Sequence, residues 1–157
     1  MIDTSLQTTW RGAHLGHWLA LALQRFDARV LALMAVNETV PLALSNLASR
    51  GSLTASHVHI TRHLTTGGLG LTALAQRAGV SKQAMGKLVD QCEAWDLVER
   101  QRDPNDARAR RVVFTQTGMA WLKAYEEAVT QAQAELRSAV GDEIATVIAI
   151  GLEAYAA

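Results

Sequence analysis

The chain has few of the residues that staple a fold and none of the common motifs that carry catalysis. A single cysteine, Cys92, stands among 157 residues, so no disulfide can form within the chain. The N-terminal segment MIDTSLQTTWRGAH lacks the basic-then-apolar plan of a secretory signal, which with the lone cysteine makes a cytoplasmic location the expectation. The apolar stretch from Leu15 to Val36 is interrupted by His17, Gln24, Arg25, Asp27 and Arg29, so it is not expected to span a bilayer. There is no nucleophile elbow, phosphate loop, HExxH or dinucleotide fingerprint. The GGLG of Gly67 to Gly70 precedes a helix with no strand before it. The expectation is a protein that is not an enzyme and holds neither cofactor nor metal.

Excess charge is also missing, since the formal net charge is zero. That balance would ordinarily argue against a nucleic-acid binder, but it hides an uneven distribution. Residues 1–61 carry four basic and three acidic side chains, residues 62–114 nine and six, and residues 115–157 two and six. The middle segment is therefore +3 and the last −4. Affinity for DNA follows the local field and the counterions released, so the middle figure is the relevant one. Because +3 is modest, a dimer reading two half-sites is expected rather than a monomer. Apolar residues are plentiful at 49%, enough to bury a core in one domain of ordinary size or in a small domain plus a dimerisation element.

The most informative stretch is Leu71 to Thr117, LTALAQRAGVSKQAMGKLVDQCEAWDLVERQRDPNDARARRVVFTQT. Leu71, Leu74, Ala75 and Ala78 recur at helical spacing, and Gly79 can take the positive φ that ends a short helix. Ser81 is a good N-cap for a second helix beginning at Lys82. Met85, Leu88, Val89, Cys92 and Trp95 form the inner face of that helix, leaving Lys82, Gln83, Gly86, Lys87 and Asp90 elsewhere. Two helices joined by a short Gly-containing turn, with Lys and Gln early in the second, suit a recognition helix in a major groove. Gln83 could read an adenine edge, and the lysines guanine or phosphate. A merely solvated helix face is the other reading.

Two strand-like runs follow, Leu97 to Gln101 and Arg111 to Thr115, separated by the turn-rich RDPNDARA. Pro104 suits a tight tip between Asp103, Asn105 and Asp106. Arg102, Arg108, Arg110 and Arg111 surround that tip, where guanidinium groups can enter a narrow minor groove or grip phosphates. Asp106 is expected to orient Arg108 through a local ion pair. An ordinary surface hairpin with weak salt bridges is the alternative.

These residues resemble the winged-helix core of the MarR (multiple antibiotic resistance regulator) family of bacterial transcription factors. The likeness is close over about 50 residues, most specific in DPNDAR followed by VVFTQTG and in the spacing of LA…GVSKQAM. The family pattern has Gly where Asp96 stands, and Asp tolerates left-handed geometry better than most residues. The resemblance implies DNA contacts from Ser81, Lys82, Gln83, Lys87 and Arg108, with Thr72 and Arg77 close to phosphates. It also implies a homodimer, a double-stranded operator, a repressor's role in transcription regulation, and release by a small aromatic or phenolic acid. A winged-helix module for protein contacts or sequence-independent DNA binding is the alternative function.

The flanks are read as helices. From about Trp10 to Val36, Leu15, Leu19, Ala22, Phe26, Val30 and Leu33 form one stripe, and Trp18, Leu21, Leu23, Leu31 and Met34 populate other sides. That surplus calls for a partner, most simply the same helix of a second chain. Asn37 to Pro41 interrupts the pattern, Leu42 to Ser49 is a short helix stopping at Gly51, and Thr54 or Ser52 caps a helix from Ala55 to Leu64. TTGGLG is read as the loop into the reading unit. Thr115 or Thr117 caps a long helix whose seam is Leu122, Tyr125, Val129, Ala132, Leu136 and Val140. Gly141 breaks it, and Asp142 to Tyr155 forms a last helix with Ile144, Val147, Ile148, Gly151 and Tyr155 on one face. The expected fold class is mainly α with a small two- or three-stranded β wing. Residues 53–116 form the winged helix-turn-helix, and residues 1–52 and 117–157 form N- and C-terminal dimerisation helices of one intertwined domain.

Three smaller constellations remain. Trp18, Arg25, His57 and His59 lie on helices that in the resembled family line an effector crevice, and a stacking Trp with cationic and hydrogen-bonding groups suits an aromatic acid. Core packing and solvation are the other reading. His14 with His17, and His59 with His63, have the spacing of two imidazoles on one helix face, but no acidic residue or cysteine beside them completes a metal site. Cys92 is read as a buried structural thiol rather than an oxidation sensor.

Overall fold

A computed structural model describes residues 12–40, 55–106 and 108–157. Helix α1 (Leu15–Ala35) is followed by α2 (Ala55–His63), the short strand β1 (Leu69–Gly70), α3 (Leu71–Ala78) and α4 (Lys82–Ala94). Strands β2 (Val98–Arg102) and β3 (Arg110–Phe114) make a hairpin, and α5 (Gln116–Val140) and α6 (Asp142–Ala156) complete the chain. The sheet is antiparallel in the order β1-β3-β2. This is the mainly helical winged helix-turn-helix that the sequence predicts.

The predicted helix is interrupted near its start. Gly12 and Ala13 are helical, but His14 adopts an extended backbone and its Nδ1 accepts from the His17 N–H at 3.1 Å, so α1 is capped afresh and runs from Leu15. Trp10 itself lies outside the described residues. Of the two predicted stripes, Val30 and Met34 are buried together with Asp27, whereas Leu15, Trp18, Leu21 and Leu23 are exposed. The buried residues of α1 all lie in its C-terminal half. After it, Asn37 Oδ1 accepts from the Thr39 N–H at 2.8 Å, forming the side-chain turn that ends the helix. The predicted helix Leu42 to Ser49, the stop at Gly51 and the caps Ser52 and Thr54 lie outside the described residues.

Leu69 and Gly70 are a strand, not the loop predicted. Leu69 pairs with Val112 and Gly70 with Arg111. Two residues are too few to show a periodicity of their own, and the strand exists because β3 offers it an edge. Gly68, at φ 82°, makes the approach: a Cβ there would lie 2.6 Å from Val113 Cγ1.

Helix α5 begins at Thr115, whose hydroxyl accepts from the Gly118 N–H at 2.9 Å. Its buried face is Gly118, Trp121, Ala124, Ala128 and Ala132, which shares only Ala132 with the predicted seam. Small side chains let the α1 backbone lie close to α5, so Leu122, Tyr125 and Val129 flank the contact and Leu136 and Val140 are exposed. Trp121 fills the centre of the core and donates from Nε1 to Thr61 Oγ1 at 3.1 Å, which satisfies its one polar atom. Gly141, at φ 92°, ends α5. Helix α6 buries only Ala145; Ile144, Val147 and Ile148 are exposed and Tyr155 is 88% exposed.

Arg29 donates from Nε and Nη2 to the two oxygens of Glu135 at 2.7 and 2.8 Å, linking α1 to α5. Hydrogen bonding from Arg29, joined by Gln131, holds the Glu135 carboxyl at about 2 against an ordinary 4.5. A depressed carboxylate pKa contributes stability that is complete above the unfolded value and lost as pH falls through the folded one. Glu135→Gln is therefore expected to lower the melting temperature slightly at neutral pH, slightly because the pair is exposed. The gap from wild type should close between pH 4.5 and about 2. Thermal melts across that window measure it, and a constant gap would exclude the ion pair as its cause.

Candidate nucleic-acid interface

Helix α3 buries Leu74 and Ala75, and Thr72 and Arg77 are exposed on its outer side. Gly79 ends it in the left-handed region at φ 66°, and the Val80 N–H returns to Ala75 O at 3.1 Å. Ser81 then caps α4 as predicted, its Oγ accepting from the Ala84 N–H at 3.1 Å. Met85, Val89 and Cys92 face the core, with Leu88 and Trp95 packed at its margin. Lys82, Gln83, Lys87 and Asp90 are exposed along the opposite arc of the helix. Gly86 lies among them. A Cβ at Gly86 would meet only Leu71 Cδ2 at 3.9 Å, so packing inside the protomer does not require a glycine there.

The turn out of α4 is built on Asp96, the one non-glycine residue of positive φ (59°) among the described residues. Thr115 donates its hydroxyl to Asp96 O, and Thr117 donates to Asp96 Oδ2 at 2.8 Å. The start of β2 is thereby tied to the start of α5. Arg100 does not stand out in the sequence, yet it fixes the wing to α4. From β2 its guanidinium pairs with Asp90 Oδ1 at 2.5 Å and with Glu93, and its backbone N–H donates to Glu93 Oε1 at 3.2 Å. Asp90 is the acidic group on the exposed arc of α4, so this pairing also offsets the charge that would repel a polyanion.

In the hairpin, Arg102 stands directly opposite Arg110. Like charges facing each other across a ladder are destabilising, so folding alone does not account for the pair. At the tip, Asp103 Oδ1 accepts from the Asn105 N–H at 2.8 Å and the Asp103 N–H donates to Ala109 O at 3.0 Å. Asp106 corrects an expectation. Its Oδ1 accepts from the Arg108 backbone N–H at 2.9 Å, and no ion pair joins the two side chains among the described residues. The carboxylate thus shapes the loop and leaves the exposed Arg108 guanidinium to the outside. Arg111 is half-buried, with its Cδ 3.5 Å from where a Gly68 Cβ would stand, so it belongs to the base of the wing and not its tip.

Trp18 and Arg25 stand on the exposed half of α1, and the Trp18 ring meets His17 edge-on at 5.3 Å. His57 is enclosed instead, 7% exposed, with its ring 4.7 Å from Trp95 and its Nε2 2.7 Å from Gln91 Oε1. The side chain of His59 lies outside the described residues. Among the described residues no three His, Cys, Asp or Glu side chains are grouped to hold a metal. Cys92 is 1% exposed and desolvation pushes its thiol up to about 12, so it carries no thiolate at neutral pH. Among the described residues no helix is long and apolar enough to cross a membrane.

A capped helix-turn-helix followed by a basic hairpin braced against the second helix defines a winged helix-turn-helix protein. Residues 52–109 match the model of the MarR family. No curated protein sequence matches it. Among solved structures, the transcriptional repressor CouR bound to a 23-mer DNA duplex is similar at a TM-score of 0.71 and 20% identity, covering 94% of this chain and 96% of that one. Wild-type MarR of E. coli, in its apo form, is similar at 0.63 and 23% identity, covering 90% and 96%. A MarR family protein of Mycobacterium tuberculosis in complex with salicylic acid is similar at 0.62 and 26% identity, covering 91% and 96%.

Proposed function

We propose that the protein is a homodimeric, sequence-specific regulator of transcription that represses by occupying a pseudo-palindromic operator and is released by a small aromatic or phenolic acid. The observation that carries this reading is the rigid pairing of two exposed basic elements. Lys82, Gln83 and Lys87 on α4 and Arg102, Arg108 and Arg110 on the wing are joined by Arg100. In this reading α4 enters the major groove, where Gln83 reads a base edge and the lysines meet phosphate or guanine, while the wing arginines take the adjacent minor groove. Ser81, Thr72 and Arg77 lie beside the phosphates. Gly86 removes a side chain where the helix would come closest to the bases. A mid-helix glycine costs about 1 kcal/mol relative to alanine, and here no internal contact requires it.

Dimerisation through residues 1–52 and 117–157 would cover the exposed apolar side chains of α1 and α6. The DNA-bound repressor among the similar structures supports the duplex as partner, and the complex with salicylic acid supports the effector class. Trp18, Arg25, His57 and His59 are the proposed effector residues, with His57 acting from within the core. Nothing in the site asks for catalysis. The test is a gel-shift titration against the DNA upstream of the protein's own gene, with excess nonspecific competitor. Specific retention is expected, with log K falling against log salt at about 0.9 per phosphate contacted and displacement by salicylic acid. Equal affinity for competitor, or no binding, would replace this reading with sequence-independent or protein-binding use of the same wing.

A further inference from the structure

Helix α2 carries the polar contacts that join the reading unit to the long helices. At its start His57 meets Trp95 and Gln91 of α4. One turn later Thr61 and Arg62 face the other way in function. Thr61 Oγ1 accepts from Trp121 Nε1 at 3.1 Å, and Arg62 Nε donates to the Tyr125 hydroxyl at 3.1 Å. Trp121 and Tyr125 are one helical turn apart on α5. The Arg62 guanidinium also pairs with Asp27 of α1, which is only 6% exposed. One short helix thus has directional bonds to α4 at one end and to both long helices at the other.

An ion pair in a core adds little net stability over well-packed hydrophobic residues. Its distinctive property is direction. A planar guanidinium bound at once to a carboxylate on α1 and a phenol on α5 admits one angle of α2 against them, where aliphatic side chains would let it slide. We propose that α2 is the coupling bar of the molecule, with Arg62, Asp27 and Tyr125 as positioning residues. They set the angle of α4 on the long helices and hence the separation of the two recognition helices in the dimer. This rests on the dimeric DNA-binding reading above, and it assigns the groups through which spacing is enforced.

The experiment selects a bound duplex from a random library with the wild-type dimer, then moves its half-sites one base pair closer or further apart. Tyr125→Phe removes one hydroxyl, and Arg62→Lys keeps the charge opposite Asp27 but loses the fork that reaches both partners. Both variants are expected to lose about 5-fold in discrimination between the selected and altered spacings, with single half-site affinity and dimer mass unchanged. A merely structural role would lower the melting temperature and leave discrimination alone, and that outcome in both variants overturns the proposal. Wild-type protein that selects no duplex would remove the DNA-binding reading and this inference with it. Wild-type selection with unaltered variants would remove this inference alone.

Discussion

Gly118→Ala should destabilise the protein by about 3 kcal/mol or more, the upper range for forcing extra atoms into a filled core. A Cβ at this position would stand 1.9 Å from the carbonyl oxygen of Leu97 and 2.9 Å from its carbon. Both are backbone atoms, so no rotamer change relieves the clash. The site also lies where two other constraints meet. The Gly118 N–H is the group that caps α5 on Thr115, and the Thr115 N–H donates to the same Leu97 carbonyl at 3.2 Å. Moving α5 outward therefore breaks its N-cap and its seam with the start of β2 together. For a domain of this length the loss corresponds to about 10 °C in melting temperature. Chemical denaturation of purified wild type and variant reads it directly. A shift below about 1 kcal/mol would mean that α5 does not sit this close to the wing.

The second large effect separates binding from folding. Replacing Arg102 and Arg110 together by alanine removes two exposed cations that face each other across the hairpin. Stability should hold or rise, because the repulsion between them disappears. Affinity for duplex DNA should fall by about 10- to 100-fold, and the slope of log K against log salt should shrink by about 2, as expected for two lost phosphate contacts. Opposite signs on stability and binding are the mark of residues kept for a ligand. Denaturation midpoints and salt-dependent titrations of the same preparation give both numbers. Unchanged affinity would take this arginine pair out of the interface, leaving α4 and Arg108 to carry it.

Much of the reading unit was legible because its determinants are local. Gly79 and Ser81 each act on backbone within one helical turn, so residue type alone locates the end of α3 and the start of α4, whereas the turn at Asp96 was read from the family pattern. The tip of the wing follows the same rule, since Asp103 and Asp106 bond to amides two residues on. Contacts made at long separation were missed or misread. Arg100 reads as one more wing cation until the hairpin folds it back onto Asp90 and Glu93. The apolar period of α5 was visible, yet the stripe that packs is the alanine one, because the close approach of α1 favours small side chains over leucines. His57 on a polar helix looks solvated, and only the arrival of Trp95 and Gln91 encloses it.

From residue order alone came the elements and the chemistry they expose: a capped helix bearing Lys82, Gln83 and Lys87, and a hairpin ringed with arginines. Those follow from backbone preferences and side-chain periodicity, which act over a few residues. The angles at which the elements are held came only with the folded chain. Asp27, Arg62 and Tyr125 are separated by dozens of positions, and no local signal says that one guanidinium will bridge them. Such pairings are settled by which surfaces the helices bury against one another, a property of the whole packed molecule.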